Sequence, residues 1–232
     1  MHLGSSIPLT ASALCYALGY TAGAVAFAVM ARRRQIATSG IMALLASGLI
    51  GGLLGAHLGQ WLSGAGAGKS ILGGMAGGYL AVFLHKRFLG ITRPTGDLFA
   101  VAVSAGEAVG RWGCYFGGCC YGRPSDVSWA IWQHGAHRHP TQIYLSISAA
   151  VILMILLRFE RVHPPENALF YLQGILFCLS RFFIEFYRDV SPAAGGLSAA
   201  QWACIAGLTF FSVGFARLMR RREPRIVAPA AG

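Results

Sequence analysis

The sequence predicts an all-α polytopic membrane helix bundle with about seven transmembrane helices, on three observations. First, 55% of the 232 residues are hydrophobic and only 12% are charged, against about 25% charged in an ordinary soluble domain. So few charges cannot cover a water-facing surface, which excludes a soluble globular enzyme and a disordered chain alike. Second, apolar runs of about 20 residues, the length needed to cross a bilayer core, follow one another along the chain. Third, the net charge of +11 sits mostly between those runs. In a soluble protein such an excess would suggest nucleic acid. Between apolar runs it reports topology, so no nucleic-acid partner is expected.

The runs place spans at residues 7–31, 41–62, 71–89, 97–116, 141–157, 168–187 and 197–218. The first lacks a basic leading segment and is followed by Arg32, Arg33 and Arg34, so it reads as a span rather than a cleaved signal. The second and third carry Gly48, Gly51, Gly52 and Gly55, then Gly73, Gly74, Gly77 and Gly78, which suit close helix packing. The third ends on Lys86 and Arg87. The fourth and sixth carry ionisable residues, and the fifth carries no charged residue. The seventh ends in a basic cluster from Arg217 onward. These spans use nearly the whole length, so residues 1–232 are expected to form a single integral membrane domain.

Orientation follows from the basic residues. If the N-terminus lies outside, 13 of the 19 Lys and Arg fall on the inner side: Arg32, Arg33, Arg34, Lys86, Arg87, Arg93, Arg158, Arg161, Arg217, Arg220, Arg221, Arg222 and Arg225. Lys69, Arg123, Arg138 and Arg188 fall outside, and Arg111 and Arg181 lie within spans. The bias predicts the N-terminus outside and the C-terminus in the cytoplasm.

Charges at membrane depth are costly and mark function or pairing. Glu107 and Arg111 share the fourth span, four residues apart. Arg181, Glu185 and Arg188 are spaced by four and three and fall on one helical face. They could form an ion-pair lock between helices. They could equally form an anion site, since arginine forks grip phosphate in a bidentate manner. At outer-leaflet depth such a cluster can hold a phospholipid headgroup.

The loop after the fourth span is the other dense region. Residues 110–124 hold five glycines, which let the backbone turn and approach a ligand. The same stretch holds Cys114, Cys119 and Cys120, with His134, His137 and His139 beyond it. Packing by free thiols, a disulfide and metal ligation are all open to these cysteines. The spacing lacks a CxxC pair and the adjacent cysteines speak against zinc, so neither a metal nor another cofactor is expected. Cys15, Cys178 and Cys204 lie within spans and read as packing residues.

Several segments together resemble the bacterial prolipoprotein diacylglyceryl transferase family. Gly110-Arg111-Trp112-Gly113, followed by Tyr121-Gly122-Arg123, resembles its signature. His139-Pro140-Thr141-Gln142-Ile143-Tyr144 resembles its His-Pro-Ser/Thr-Gln-Leu-Tyr segment. Arg181, Glu185, Phe186 and Arg188 match an Arg-x-x-x-Glu-Phe-x-Arg helix, Leu197, Ser198 and Gln201 match the entry to the last span, and Tyr16 and Tyr20 fit a first-span tyrosine pattern. The chain departs from the family at Leu72, where a histidine is usual, at Cys114 (asparagine), Cys119 and Leu145 (acidic residues) and His57 (arginine). It looks like a divergent branch with a cysteine-rich signature.

The resemblance implies transfer of a diacylglyceryl group from phosphatidylglycerol to the lipobox cysteine thiol of a preprolipoprotein, with glycerol phosphate leaving. It implies a multi-pass protein of the bacterial cytoplasmic membrane whose site faces the outer leaflet, with membrane lipid and the lipobox segment as partners. The expected catalytic residues are Arg111 and Arg181 on the leaving phosphate, and His139 or Glu185 as the base that frees the thiolate. Glu107 is a weaker base candidate. Substrate contacts are expected from Tyr16, Gly113, Cys119, Gly122, Arg123, Gln142, Tyr144 and Arg188. Cys119 could also carry a lipid group covalently. The lost polar partners allow a second reading, transfer of a glyceryl-lipid or phosphoglyceryl group to another acceptor. A non-catalytic phospholipid binder or transporter ranks third, because no repeat is evident and the charges cluster at one leaflet.

Overall fold

The computed structural model describes residues 8–36, 40–62 and 71–221. Ile7, Lys69, Arg222 and Arg225, used above to place spans and loops, lie outside the described residues. Seven long helices follow in order: α1 (Pro8–Arg33), α2 (Ile41–Leu62), α3 (Ile71–Phe88), α4 (Gly96–Phe116), α5 (Thr141–Glu160), α6 (Ala168–Glu185) and α7 (Ala199–Arg220). They match the seven expected segments to within three residues at each described end. Five of them are long and apolar enough to cross a membrane: Thr10–Arg33, Ile41–Leu62, Thr141–Glu160, Ala168–Glu185 and Ala199–Arg220.

The chain divides into two compact units. One contains residues 27–94 and the other the first 26 residues together with 95–232. In the first unit α2 packs on α3 through glycine. A Cβ on Gly51, Gly55, Gly73 or Gly77 would run into the backbone of the facing helix. The glycines therefore let the two backbones touch, the usual substitute for a hydrophobic driving force in lipid. Gly55→Leu is expected to force α2 and α3 apart, lowering stability by at least about 2 kcal/mol. A thermal unfolding curve in detergent checks this.

In the second unit α4 packs against α5 and α6, and α6 against α7. Leu98, Ala100, Val101, Ala102, Ser104 and Ala105 of α4 are buried. That burial explains the polar character of α4: its Asp97, Ser104, Glu107 and Arg111 face protein, where polar groups find partners. The start of α1 approaches α4 through small residues, with Gly19 against Gly106 and Gly110, and Gly23 against Ala102. At one end the buried Asp97 carboxylate accepts from Asn167 N (2.9 Å) and Phe170 N (3.0 Å), satisfying free donors at the start of α6. This sets the N-termini of α4 and α6 side by side, so the two helices run the same way, as an alternating topology requires. Many large apolar side chains on the helices remain exposed, among them Leu14, Trp61, Phe88, Met154 and Phe210, as a lipid-facing surface demands.

The loop between α4 and α5 holds a small feature that hydropathy did not show. Strands β1 (Ile131–Gln133) and β2 (Ala136–Arg138) pair antiparallel. Their two-residue turn is His134-Gly135, both at positive φ (49° and 77°), the geometry that suits a tight hairpin. Only this X-Gly step could have signalled the hairpin in the sequence. A short 3-10 turn (Ala194–Gly196) precedes α7. Ser198 then caps α7 in a reciprocal box with Gln201.

Candidate active site

The charged face read from α6 folds into one buried network. Arg181 Nη1 lies 2.6 Å from Glu185 Oε2, and Arg188 Nη1 lies 3.3 Å from the same oxygen. The other carboxylate oxygen, Oε1, accepts from Ser198 Oγ at 3.0 Å. The side chains of Arg181 and Glu185 are only 6% and 3% exposed. Helical spacing places the three charges on one face, and the capped start of α7 delivers Ser198 to the remaining oxygen. Glu185 is thus held on both oxygens.

On α4, Arg111 Nε donates to Glu107 Oε1 at 2.9 Å, and Arg111 Nη2 contacts the same oxygen. Arg111 and Arg188 are both within electrostatic reach of Arg181. Arg111 of α4, Arg181 of α6 and Arg188 just beyond α6 therefore converge, where their mutual repulsion calls for an anion. One buried donor in this cluster, Arg188 Nε, has no hydrogen-bond acceptor. An unmet N–H group of this kind is costly, and an anionic ligand would satisfy it.

The glycine-rich loop is laced over this cluster by backbone hydrogen bonds. Gly122 N donates to His139 O (3.1 Å), His139 N to Arg123 O (3.1 Å), and Arg123 N to Tyr187 O (2.8 Å). Residues 122–123 thus run between the entrance of α5 and the exit of α6. Gly122 is obligatory here, because a Cβ would strike the carbonyls of both His139 and Tyr187. Arg123 Nε donates to Arg188 O at 3.0 Å. Arg138 closes the rim with an ion pair to Asp189 (2.6 Å) and stacks over Tyr121 with its guanidinium 4.9 Å from the ring centroid.

His139 sits in an aromatic corner. Its Nδ1 lies 3.2 Å from Tyr144 OH, which also accepts from Trp129 Nε1 at 2.7 Å. Its ring meets Tyr187 edge to face at 5.0 Å. Tyr187 directly precedes Arg188, so the corner adjoins the arginine network through the chain itself. Gln142 is fully buried. Its Nε2 donates to Cys119 O (2.8 Å), while its Oε1 has no donor.

The three loop cysteines come together. Their sulfurs all lie within 4.8 Å of one another, and all six cysteines of the chain are free thiols. Sequence spacing argued against such a cluster. The positive φ of Gly118 (64°) and Cys120 (59°) turns the chain tightly enough to bring both adjacent cysteines beside Cys114. Hydrogen bonds from Cys114 and Cys119 stabilise the thiolate of Cys120, with Arg188 and Arg111 reinforcing it, so its pKa lies well below the usual thiol range. The Cys119 pKa is raised instead, first by its hydrogen bonds with Cys114 and Cys120 and then by burial. Tyr16 OH donates to Cys114 Sγ at 3.3 Å.

The structure therefore brings Arg111, Arg181, Glu185 and Arg188 into one cluster, and His139, Tyr144, Gly122 and Arg123 into the corner beside it. Gln142 and Cys119 are joined to each other. Gly113 lies against the ring of Tyr16, which leaves no room for a Cβ, and its carbonyl accepts from Ser12 Oγ at 2.8 Å. Both Tyr16 and Gly113 thus serve the contact between α1 and α4. Sequence reasoning gave no structural role to Ser198, Arg138, Trp129 or Thr141, whose partners are remote in sequence. Only the Ser-x-x-Gln pattern at Ser198, a capping signal, was legible in advance.

A family model described as prolipoprotein diacylglyceryl transferase matches residues 1–217. The chain is 33% identical over 177 residues to a phosphatidylglycerol–prolipoprotein diacylglyceryl transferase of Gloeobacter violaceus, covering 70% of this chain and 65% of that one. It is 28% identical over 224 residues to a protein of the same name from Clostridium tetani, covering 85% of this chain and 90% of the relative. A third protein of that name, from Clostridioides difficile, is 30% identical over 153 residues, or 66% of this chain and 62% of its own length. Matched along almost its entire length, and with the arginine helix, the glycine loop and the His-Pro-Thr-Gln segment assembled in one place, the chain belongs to the prolipoprotein diacylglyceryl transferase family.

Proposed function

We propose that this protein moves a diacylglyceryl group from phosphatidylglycerol to the lipobox cysteine thiol of preprolipoproteins. The observation that carries this reading is the buried donor Arg188 Nε, which lacks an acceptor in a cluster shared with Arg181 and Arg111. A phosphodiester supplies an anionic acceptor for it. The thiolate sulfur attacks the glycerol carbon bonded to the phosphate ester oxygen. The C–O bond breaks with its electron pair going to the departing glycerol phosphate, and an S–C bond forms. The charge that grows on the leaving oxygen is what Arg111 and Arg181 stabilise.

Of the two candidate bases, His139 is the better placed, since both oxygens of Glu185 are occupied by Arg181, Arg188 and Ser198. His139 presents one ring nitrogen to Tyr144 OH and leaves the other for the thiol proton. Gln142 Oε1, a buried acceptor without a donor, suits a headgroup hydroxyl. The protein forms a single integral domain of the bacterial cytoplasmic membrane, with its N-terminus outside and its site at the outer leaflet. The basic bias supports that orientation, with Arg217 and Arg220 in the last turn of α7, whose capped start carries Ser198 to the site.

The test is purified protein in phosphatidylglycerol micelles with a lipobox peptide, read by mass spectrometry. A diacylglyceryl adduct on the peptide thiol, reduced at least about 100-fold in Arg111→Ala, is the expected result. No adduct from folded, lipid-loaded protein would overturn the reading. One observation keeps a different acceptor in view: Leu145, at a position usually acidic in the family, is buried and apolar. Release of glycerol phosphate without any peptide would favour that acceptor.

A further inference from the structure

We infer that Cys114, Cys119 and Cys120 form a three-thiolate site for a zinc ion, with its fourth coordination position open to an exogenous thiol. The three sulfurs already lie within 4.8 Å of one another. A Zn–S bond of about 2.3 Å sets coordinated sulfurs roughly 3.8–4.0 Å apart, so the thiols need to close by less than about 1 Å. Three protein ligands with one position left over is the pattern of a catalytic rather than a structural zinc site.

The backbone that carries the thiols is fixed from outside the cluster. Fully buried Thr141 donates through Oγ1 to Cys120 O at 2.6 Å, and fully buried Gln142 donates to Cys119 O at 2.8 Å. Cys119 N donates to Cys114 O at 3.1 Å, tying the loop sulfurs to the end of α4. Supports of this kind orient ligands and raise metal affinity. Three thiolates around a divalent ion leave one negative charge. Arg111 and Arg188, both within electrostatic reach of Cys120, offset it. The hydroxyl of Tyr16, 3.3 Å from Cys114 Sγ, steadies that ligand.

The position of the site gives it a use, which rests on the transferase reading. A peptide thiol that replaces bound water on the ion gives its proton to His139, the base proposed above, as the sulfur bonds to zinc. It is then held as a thiolate beside the arginines that grip the lipid phosphate. In this chain zinc would thus activate the nucleophile at the tight turn that follows α4.

The experiment uses the full chain purified in detergent without chelator. Elemental analysis should find about one zinc per chain. Replacement by Co2+ should give the sulfur-to-cobalt charge-transfer absorption of a multi-thiolate site. Cys114→Ser, Cys119→Ser and Cys120→Ser should each weaken Co2+ binding at least about tenfold, while their thermal unfolding reports whether the fold survives. A lipobox peptide should shift the cobalt spectrum, and the same peptide with serine for cysteine should not. Wild-type protein that binds neither zinc nor Co2+, or in which two of the three thiols resist alkylation until reduced, overturns the inference. A Co2+ spectrum that the peptide thiol leaves unchanged overturns the open position. Failure of the transferase reading looks different: metal binds and the peptide shifts the spectrum, but no diacylglyceryl product forms. Product formed by chelator-treated, metal-free protein keeps the transferase reading and overturns this one.

Discussion

Arg181→Ala is expected to lower the rate of diacylglyceryl transfer by about 10²–10³-fold, the usual cost of removing one donor aimed at developing charge. The guanidinium is buried, and Glu185 holds it in place through Nη1. A guanidinium offers five donors, so those not aimed at Glu185 can meet a leaving phosphate. Arg181→Lys keeps the charge but loses the planar fork, so it should recover only part of the rate. Initial rates from the mass-spectrometric peptide assay check both variants. Near-wild-type turnover by Arg181→Ala would move the phosphate contact to Arg111 and Arg188 alone.

Glu185→Ala is expected to destabilise the protein by about 3–5 kcal/mol, because removing one partner of a buried ion pair strands the others. Arg181, Arg188 and Ser198 all lose their carboxylate at once. Glu185→Gln keeps an oxygen for Ser198 and removes the charge, so it should fall between wild type and alanine. Thermal unfolding in detergent with phosphatidylglycerol measures the loss. The same variants separate two roles for the residue. If Glu185 anchors the arginines, stability and lipid affinity fall together. If it were the base, Glu185→Gln would fold with wild-type stability and fail only in turnover.

The helices were legible because their signal is local. A run of apolar residues reports a span whatever it packs against, and the described ends of all seven lie within three residues of the expected ones. The alignment of Arg181 with Glu185 was legible for the same reason, since helical periodicity fixes it, while Arg188 reaches Glu185 from the turn just beyond α6. The α2 and α3 glycines also read correctly as packing positions, because small residues in a lipid-facing helix have few other uses.

The loop between α4 and α5 was legible only in part. Its composition marked it as important, but composition carries no φ angles. The turn at Gly118 and Cys120 that gathers the thiols, and the His134-Gly135 turn that makes the hairpin, follow from backbone conformations that hydropathy does not encode. The meeting of Gly122 with His139 and Tyr187 spans 65 residues of sequence. No local pattern specifies such a pairing.

The sequence by itself determined the class of the protein, its long helices, its family and the ionisable residues that fall in them. These are consequences of hydrophobic length, charge placement and helical period, each a property of neighbouring residues. Tertiary structure alone decided that Glu185 is fully engaged, that the Arg188 Nε donor remains without an acceptor, that His139 shares its corner with Tyr144 and Tyr187, and that three cysteines form one cluster. Those facts depend on which distant groups desolvate each other, and burial of one polar group by another is settled only when the chain packs.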